Sequence, residues 1–302
     1  MVYKIRNVSI VLPGLKDPRL FMTGVLIAYT LIGQTLLSFD HQWIQIGTSV
    51  LVACTLDTLL SFWKTRQIVL PLSGFITGLG LGLLVEAIPL WPYIVAPALA
   101  IGAKGLIRFQ GRNIFNPSNF GLTVLLILAP VTVTTLAAQW SGSLLIVMIV
   151  LAIGGFTAFR VSRWDLVLAF VGGFAVMALI EQLIAHKGFA FVYGPMVGAA
   201  FQLFTLSMLT DPKTTPETRR MRIVFGLTVA AVDGVLRLMS IQNSPFIALF
   251  FVSAWVPVLR LGYSLAKASL TTAQAQPVSD SRERALAKAV FVQQEVRPGS
   301  FN

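Results

Sequence analysis

The sequence predicts an all-α polytopic membrane protein with about ten transmembrane helices in two inverted five-helix repeats. Three observations lead there: an apolar composition, ten apolar stretches of spanning length, and basic residues concentrated in every second loop. Of 302 residues, 56% are Ala, Val, Ile, Leu, Met, Phe, Trp, Tyr or Cys before 24 glycines are counted, and 12% are charged. A soluble domain has about 45–50% apolar residues with glycine included and about 25% charged. A water-soluble enzyme is thereby excluded. A lone cysteine, Cys54, excludes a disulfide scaffold, and the sparse charge excludes a disordered chain.

Taken in order, residues 1–19 read as a cytoplasmic N-terminal segment. The spans follow at approximately 20–39, 43–63, 68–88, 91–107 and 120–138, which form a first repeat over 20–138. Those at 143–159, 166–184, 191–209, 223–241 and 246–263 form a second over 143–263. A polar cytoplasmic tail, 264–302, closes the chain and reads either as a frayed, solvated tail or as carrying a short helix between Ser281 and Glu295.

Loop charge sets the orientation. Lys4, Arg6, Lys16 and Arg19 precede the first span, and Lys64 with Arg66, Arg108 with Arg112, Arg160 with Arg163, and Lys213 with Arg219, Arg220 and Arg222 occupy alternate loops. The intervening loops hold Lys187 alone. Cytoplasmic loops collect Lys and Arg, so both termini are expected in the cytoplasm and the chain in the inner (plasma) membrane. This placement accounts for the net charge of +11, so the expected partner is the lipid bilayer and not nucleic acid. His41 and His186 fall in separate loops and suggest no metal site.

The inverted repeat rests on two echoes. Gly74 and Gly78 recur as Gly194 and Gly198, and Asn116-Pro117 recurs as Asn243-Ser244-Pro245. Five spans per half is an odd number, which turns the halves upside down to one another.

Two polar stretches stand out. The first runs from Arg108 to Asn119, where Asn116 can cap the fifth helix and Pro117 can occupy its first position. It reads either as a capped helix start with anchoring cations or as an anion site built from Arg112, Asn113, Asn116 and Asn119, with Phe109 or Phe115 to stack on a ring. The second, Thr210-Asp211-Pro212-Lys213-Thr214-Thr215-Pro216, is a rigid polar turn. The two together could line one cytoplasmic cavity. Glycines 74, 78, 80 and 82 read either as a helix-packing stripe or as a broken span.

Ionisable residues inside spans are costly. Asp233 and Arg237 stand one turn apart and can neutralise each other, whereas Asp57 has no evident local partner and is the better candidate for an ion or proton path. No nucleophile elbow, Walker loop, dinucleotide fingerprint or zinc spacing is present.

The stretches Gly111-Arg112-Asn113-Ile114-Phe115-Asn116-Pro117-Ser118-Asn119-Phe120-Gly121-Leu122 and Met208 to Pro216, with ten spans, resemble the NqrB/RnfD family over about residues 16–263. Its members are membrane subunits of ion-translocating electron-transport complexes. The resemblance implies a fold similar to urea transporters, flavin cofactors, other membrane redox subunits as partners, and electron transfer coupled to ion movement. With the polar stretches read above, the candidate cofactor-binding residues are Arg112, Asn113, Phe115, Asn116, Asn119, Thr210, Asp211, Lys213, Thr214 and Thr215, and the ion-path candidates from the spans are Asp57, Asp233 and Arg237. One departure matters. The family's flavinylated Ser-Gly-Ala-Thr reads Ser141-Gly142-Ser143-Leu144 here, as in the shorter branch that includes membrane proteins of enediyne clusters. Covalent FMN is therefore not expected, whereas non-covalent FMN, riboflavin or a quinone is. The alternative is a channel or carrier for a small solute on the same scaffold.

Overall fold

The computed structural model describes residues 2–5, 8–11, 13–14, 17–35, 42–135, 144–258, 261–262, 285–286 and 288. It is mostly helical, at 75%, with eleven helices among those residues. Residues 1–254 form one compact unit and 255–302 another. In the second unit the described residues are helical, and most of the stretch between Ser281 and Glu295 lies outside them.

The chain opens with strands β1 (Val2–Ile5) and β2 (Val8–Val11), paired antiparallel. Helices α1 (Pro18–Thr35) and α2 (Trp43–Thr65) lead to β3 (Gln67–Val69), which joins β2 in parallel with Ile10 opposite Ile68. The N-terminal segment is thus an edge of a small sheet, which span counting overlooks because strands this short carry no length signal. Helix α3 (Leu72–Leu84), strand β4 (Val85–Glu86) and helix α4 (Pro92–Leu106) follow. A hairpin of β5 (Arg108–Phe109) and β6 (Arg112–Asn113) precedes α5 (Pro117–Leu128). Its two turn residues, Gln110 and Gly111, both have positive φ, at 49° and 78°, the geometry of a tight twisted hairpin. Strand β7 (Thr134–Thr135) returns to pair with β4.

Then come α6 (Leu144–Arg160), α7 (Trp164–Ala185), the short α8 (Phe189–Tyr193) and α9 (Ala199–Leu203), α10 (Arg219–Leu238) and α11 (Ser244–Val258). Leu144 opens α6, while Ser141 to Ser143 lie outside the described residues.

Several helices are shorter than their apolar stretches. Helix α5 has 12 residues and α3 has 13, about 18 and 20 Å of rise against roughly 30 Å of hydrocarbon. Proline sets these limits: α3 begins after Pro71, and Pro130 follows the Ala129 cap of α5. The eighth stretch is interrupted, with a 3₁₀ turn at Gly194–Val197 between α8 and α9 and a π turn at Phe204–Met208. Helices α2 and α7 are long and apolar enough to cross a membrane, and only 22% and 28% of their apolar windows is buried. That outward apolar surface, with Leu51, Trp63, Leu168 and Leu183 all more than half exposed, fits membrane association.

Helix α3 is continuous, so its glycines are a packing stripe. A Cβ on Gly74 or Gly78 would fall within 2.8 Å of the α2 backbone. Gly194 and Gly198 lie instead in and beside the 3₁₀ turn, so the glycine echo does not mark equivalent structures. Helix α5 meets α11 through Asn119 Nδ2 and Thr123 Oγ1, which both donate to the Phe246 carbonyl, at 3.1 and 3.2 Å.

Candidate functional site

Two segments distant in sequence, the hairpin with the start of α5 and the polar turn at Asp211, are stitched together. Asn116 caps that helix, its side-chain oxygen accepting from the Asn119 amide at 3.1 Å, with Pro117 next, as the sequence predicts. The same side chain donates through Nδ2 to Asp211 Oδ2 at 3.2 Å. Asp211 organises the polar turn: its carboxylate accepts from the Lys213 amide at 3.0 Å, and its carbonyl accepts from the Thr214 and Thr215 hydroxyls at 3.3 and 2.9 Å. From the hairpin, Arg112 donates to the Pro212 carbonyl at 2.9 Å and pairs with Glu217.

Around this junction lies a cavity of about 310 Å³. Asn113, Asn116, Thr210, Asp211 and Lys213 line it together with Arg19, Lys104, Arg160 and several hydroxyls, among them Ser73, Ser118 and Ser207. Phe21, Met22, Ile76 and Val161 supply an apolar wall. Four cationic side chains thus face one carboxylate. Enclosure raises the Asp211 carboxyl above its ordinary value, against the opposing pull of the Lys213 amide and charge and of Asn116. Arg19 is held by Asp17, whose carboxyl is in turn kept down at about 2 by the guanidinium and the Arg19 amide. Arg160 stacks over Phe21 at 5.0 Å. A basic, half-apolar cavity of this size suits an amphipathic anion, since small-molecule sites run about 300–1,000 Å³ with few polar anchors.

A second cavity, about 490 Å³, shares Lys104, Asn113, Pro212 and Lys213 with the first and adds Asp57, Lys64, Arg108 and Arg112.

The sequence-predicted residues divide. Asn113, Asn116, Thr210, Asp211 and Lys213 reach the first cavity, and Arg112 lines the second with its guanidinium already engaged. Phe115 does not line either one; it stacks on Phe250 at 4.8 Å and packs on Phe120 at 5.2 Å. Asn119 is buried and braces α11, while Thr214 and Thr215 are buried turn supports. Asp57 has a partner after all: it pairs with Lys104, 47 residues away, and accepts from the Gly74 amide at 2.9 Å. A local reading of one span cannot see a partner on another helix. Asp233 and Arg237 do pair, at 3.1 Å, within a larger network that includes Glu181 and Lys187.

Arg19, Ser73, Ser118, Arg160 and Ser207 were not foreseen as site residues. Arg19 and Arg160 had a signal, as two loop cations bordering spans, but nothing local distinguishes a cavity cation from an anchor. No family model matches the chain, and a search of curated proteins finds no match.

Proposed function

We propose that this chain is a ten-span membrane protein of the RnfD/NqrB type, working in electron transport and holding a flavin or quinone non-covalently in the 310 Å³ cavity. The observation that carries the reading is the convergence of Asn113 and Asn116 with Asp211 and Lys213, two quoted motifs about 100 residues apart by sequence number, around one basic and half-apolar space. Arg19, Lys104, Arg160 and Lys213 would hold a phosphate or offset the charge that such a group gains on reduction, and Phe21 with Ile76 would cover a ring. Bound there, a flavin or quinone supplies reversible electron carriage. Coupling to ion movement and to other redox subunits belongs to the same reading.

Two inverted halves are supported by matching ion pairs: Lys104 of α4 meets Asp57 of α2, and Arg237 of α10 meets Glu181 of α7. The Asn116 cap abuts the turn at Asp211, and Asn243 donates to Thr134 at 3.3 Å beside β4. The outward apolar faces of α2 and α7 and the alternating loop cations support the membrane placement with cytoplasmic termini.

A channel or carrier for a small solute is the second reading, favoured by the short α5 meeting α11 at its first turns. The packed rings of Phe115, Phe120 and Phe250, and of Phe204 against Phe246 at 5.1 Å, fill that junction and weigh against it. Protein purified in mild detergent should show flavin absorbance or yield a quinone on extraction. After denaturation a bound flavin should be released, leaving a chain of 32.8 kDa. Neither cofactor in the protein, with solute flux through reconstituted vesicles, would overturn the first reading in favour of the second.

A further inference from the structure

The 490 Å³ cavity has a different character from its neighbour. Five cations line it: Lys64 from the end of α2, Lys104 from α4, Arg108 and Arg112 from the hairpin, and Lys213 from the polar turn. Two carboxylates answer them. Asp57 is committed to Lys104, and Glu217, from outside the lining, to Arg112.

Of the other three, Lys64 and Arg108 have no carboxylate counterpart among the described residues, and Lys213 has only the through-space attraction of Asp211 and Asp17. Lys64 donates to the Gly105 carbonyl at 2.9 Å and Arg108 to the Gly111 carbonyl at 2.5 Å. Carbonyl oxygens orient a cation without cancelling its charge. The Lys213 ammonium makes no ion pair among the described residues. Three positive charges held in one concavity repel each other and focus a positive potential there, and a multiply charged anion relieves both effects. Arg108 is fixed by the tight Gln110-Gly111 turn and Lys64 by the end of α4, so the donors are already placed.

We propose that this second cavity binds a phosphate-bearing anion with two or more negative charges. The donor set of ammonium and guanidinium groups suits phosphate oxygens, and the cavity's open rim admits either a soluble diphosphate ester or the headgroup of an anionic lipid. The site goes beyond the flavin or quinone reading and uses cations, Lys64 and Arg108, that do not line the inner cavity.

Inorganic pyrophosphate is the probe, titrated by calorimetry at constant ionic strength into the full chain in phosphatidylcholine nanodiscs. Binding is expected, and Lys64→Gln/Arg108→Gln should weaken it at least tenfold without altering flavin or quinone content. Arg19→Gln/Arg160→Gln should do the reverse, so the two sites fail separately. In phosphatidylcholine nanodiscs doped with cardiolipin, whose headgroup carries two negative phosphates, loss of pyrophosphate binding assigns the cavity to a lipid headgroup, and retained binding assigns it to a soluble phosphate. Absence of binding in phosphatidylcholine, or equal affinity in the Lys64→Gln/Arg108→Gln variant, overturns the proposal.

Discussion

Two buried ion clusters bridge helices in similar ways but live in different surroundings. Between α7 and α10, Glu181 accepts from Arg237 and Lys187 at 2.8 and 2.9 Å, and Asp233 accepts from Arg237 and from Ser244 at 3.1 and 2.6 Å. Arg237 also lies over the Phe174 ring at 4.0 Å. Its side chain is 12% exposed, and those of Asp233 and Glu181 are 0% and 3% exposed. Between α2 and α4, Asp57 meets Lys104 and the Gly74 amide, and Lys104 reaches Ser73 at 2.9 Å. That lysine is 21% exposed and borders both cavities. Burying charge costs several kcal/mol per ion unless partners replace the lost water. The first cluster offsets most of that cost from within the protein, with only Arg237 Nη2 of its buried guanidinium left without a hydrogen-bond partner. The second is left partly to whatever fills the cavities, which makes it the one suited to ligand work.

The comparison predicts the largest loss at the closed cluster. Arg237→Met leaves two buried carboxylates short of their shared partner and should cost about 3–5 kcal/mol. The triple variant Glu181→Gln/Asp233→Asn/Arg237→Met removes the stranded charges, so its thermal unfolding in detergent should recover at least half of the loss. A triple variant no more stable than the single one would show that packing, and not ion pairing, dominates this cluster.

Lys104→Met should be milder, about 2 kcal/mol, because Asp57 can draw water from the adjoining cavity. Under the proposed flavin or quinone reading, its distinguishing effect is on that cofactor. Cofactor retained per folded protein should drop in Lys104→Met and stay unchanged in Arg237→Met, measured by extraction after size exclusion. Equal retention in both variants would remove the functional contrast between the clusters.

How much of this was legible in the sequence follows from the range of each interaction. The Asn116 cap, the Pro117 start and the Asp233–Arg237 pair act over one turn of helix, so residue spacing reveals them. The Asp57–Lys104 pair, the Arg237–Glu181 contact and the stitching of Asn116 to Asp211 join residues 47 to 95 positions apart. Only packing brings those together. Phe115 escapes a sequence reading for the same reason: an aromatic in a polar loop looks available until α11 places Phe250 against it. The interrupted eighth stretch had a visible marker in Gly194-Pro195, but apolar run length outweighed it in the reading.

A pair more exposed than either cluster should give a smaller effect. Arg19 and Asp17, with side chains 41% and 14% exposed, sit at the start of α1, where the Asp17 carboxylate also accepts from the Arg19 amide at 2.9 Å. Asp17→Asn keeps a capping side chain and removes the charge, so it isolates the ion pair. Water and salt screen this pair, and the loss should stay below about 1 kcal/mol. The pH dependence has a definite sign. The folded-state value of about 2 lies below the ordinary 3.8, so the carboxylate stabilises the fold above pH 3.8 and loses that contribution as pH falls towards 2. The unaltered protein should therefore melt slightly above Asp17→Asn at pH 6, and the two curves should converge at acid pH. A gap at pH 6 wider than that produced by Lys104→Met would break the ordering by burial on which the comparison of the clusters depends.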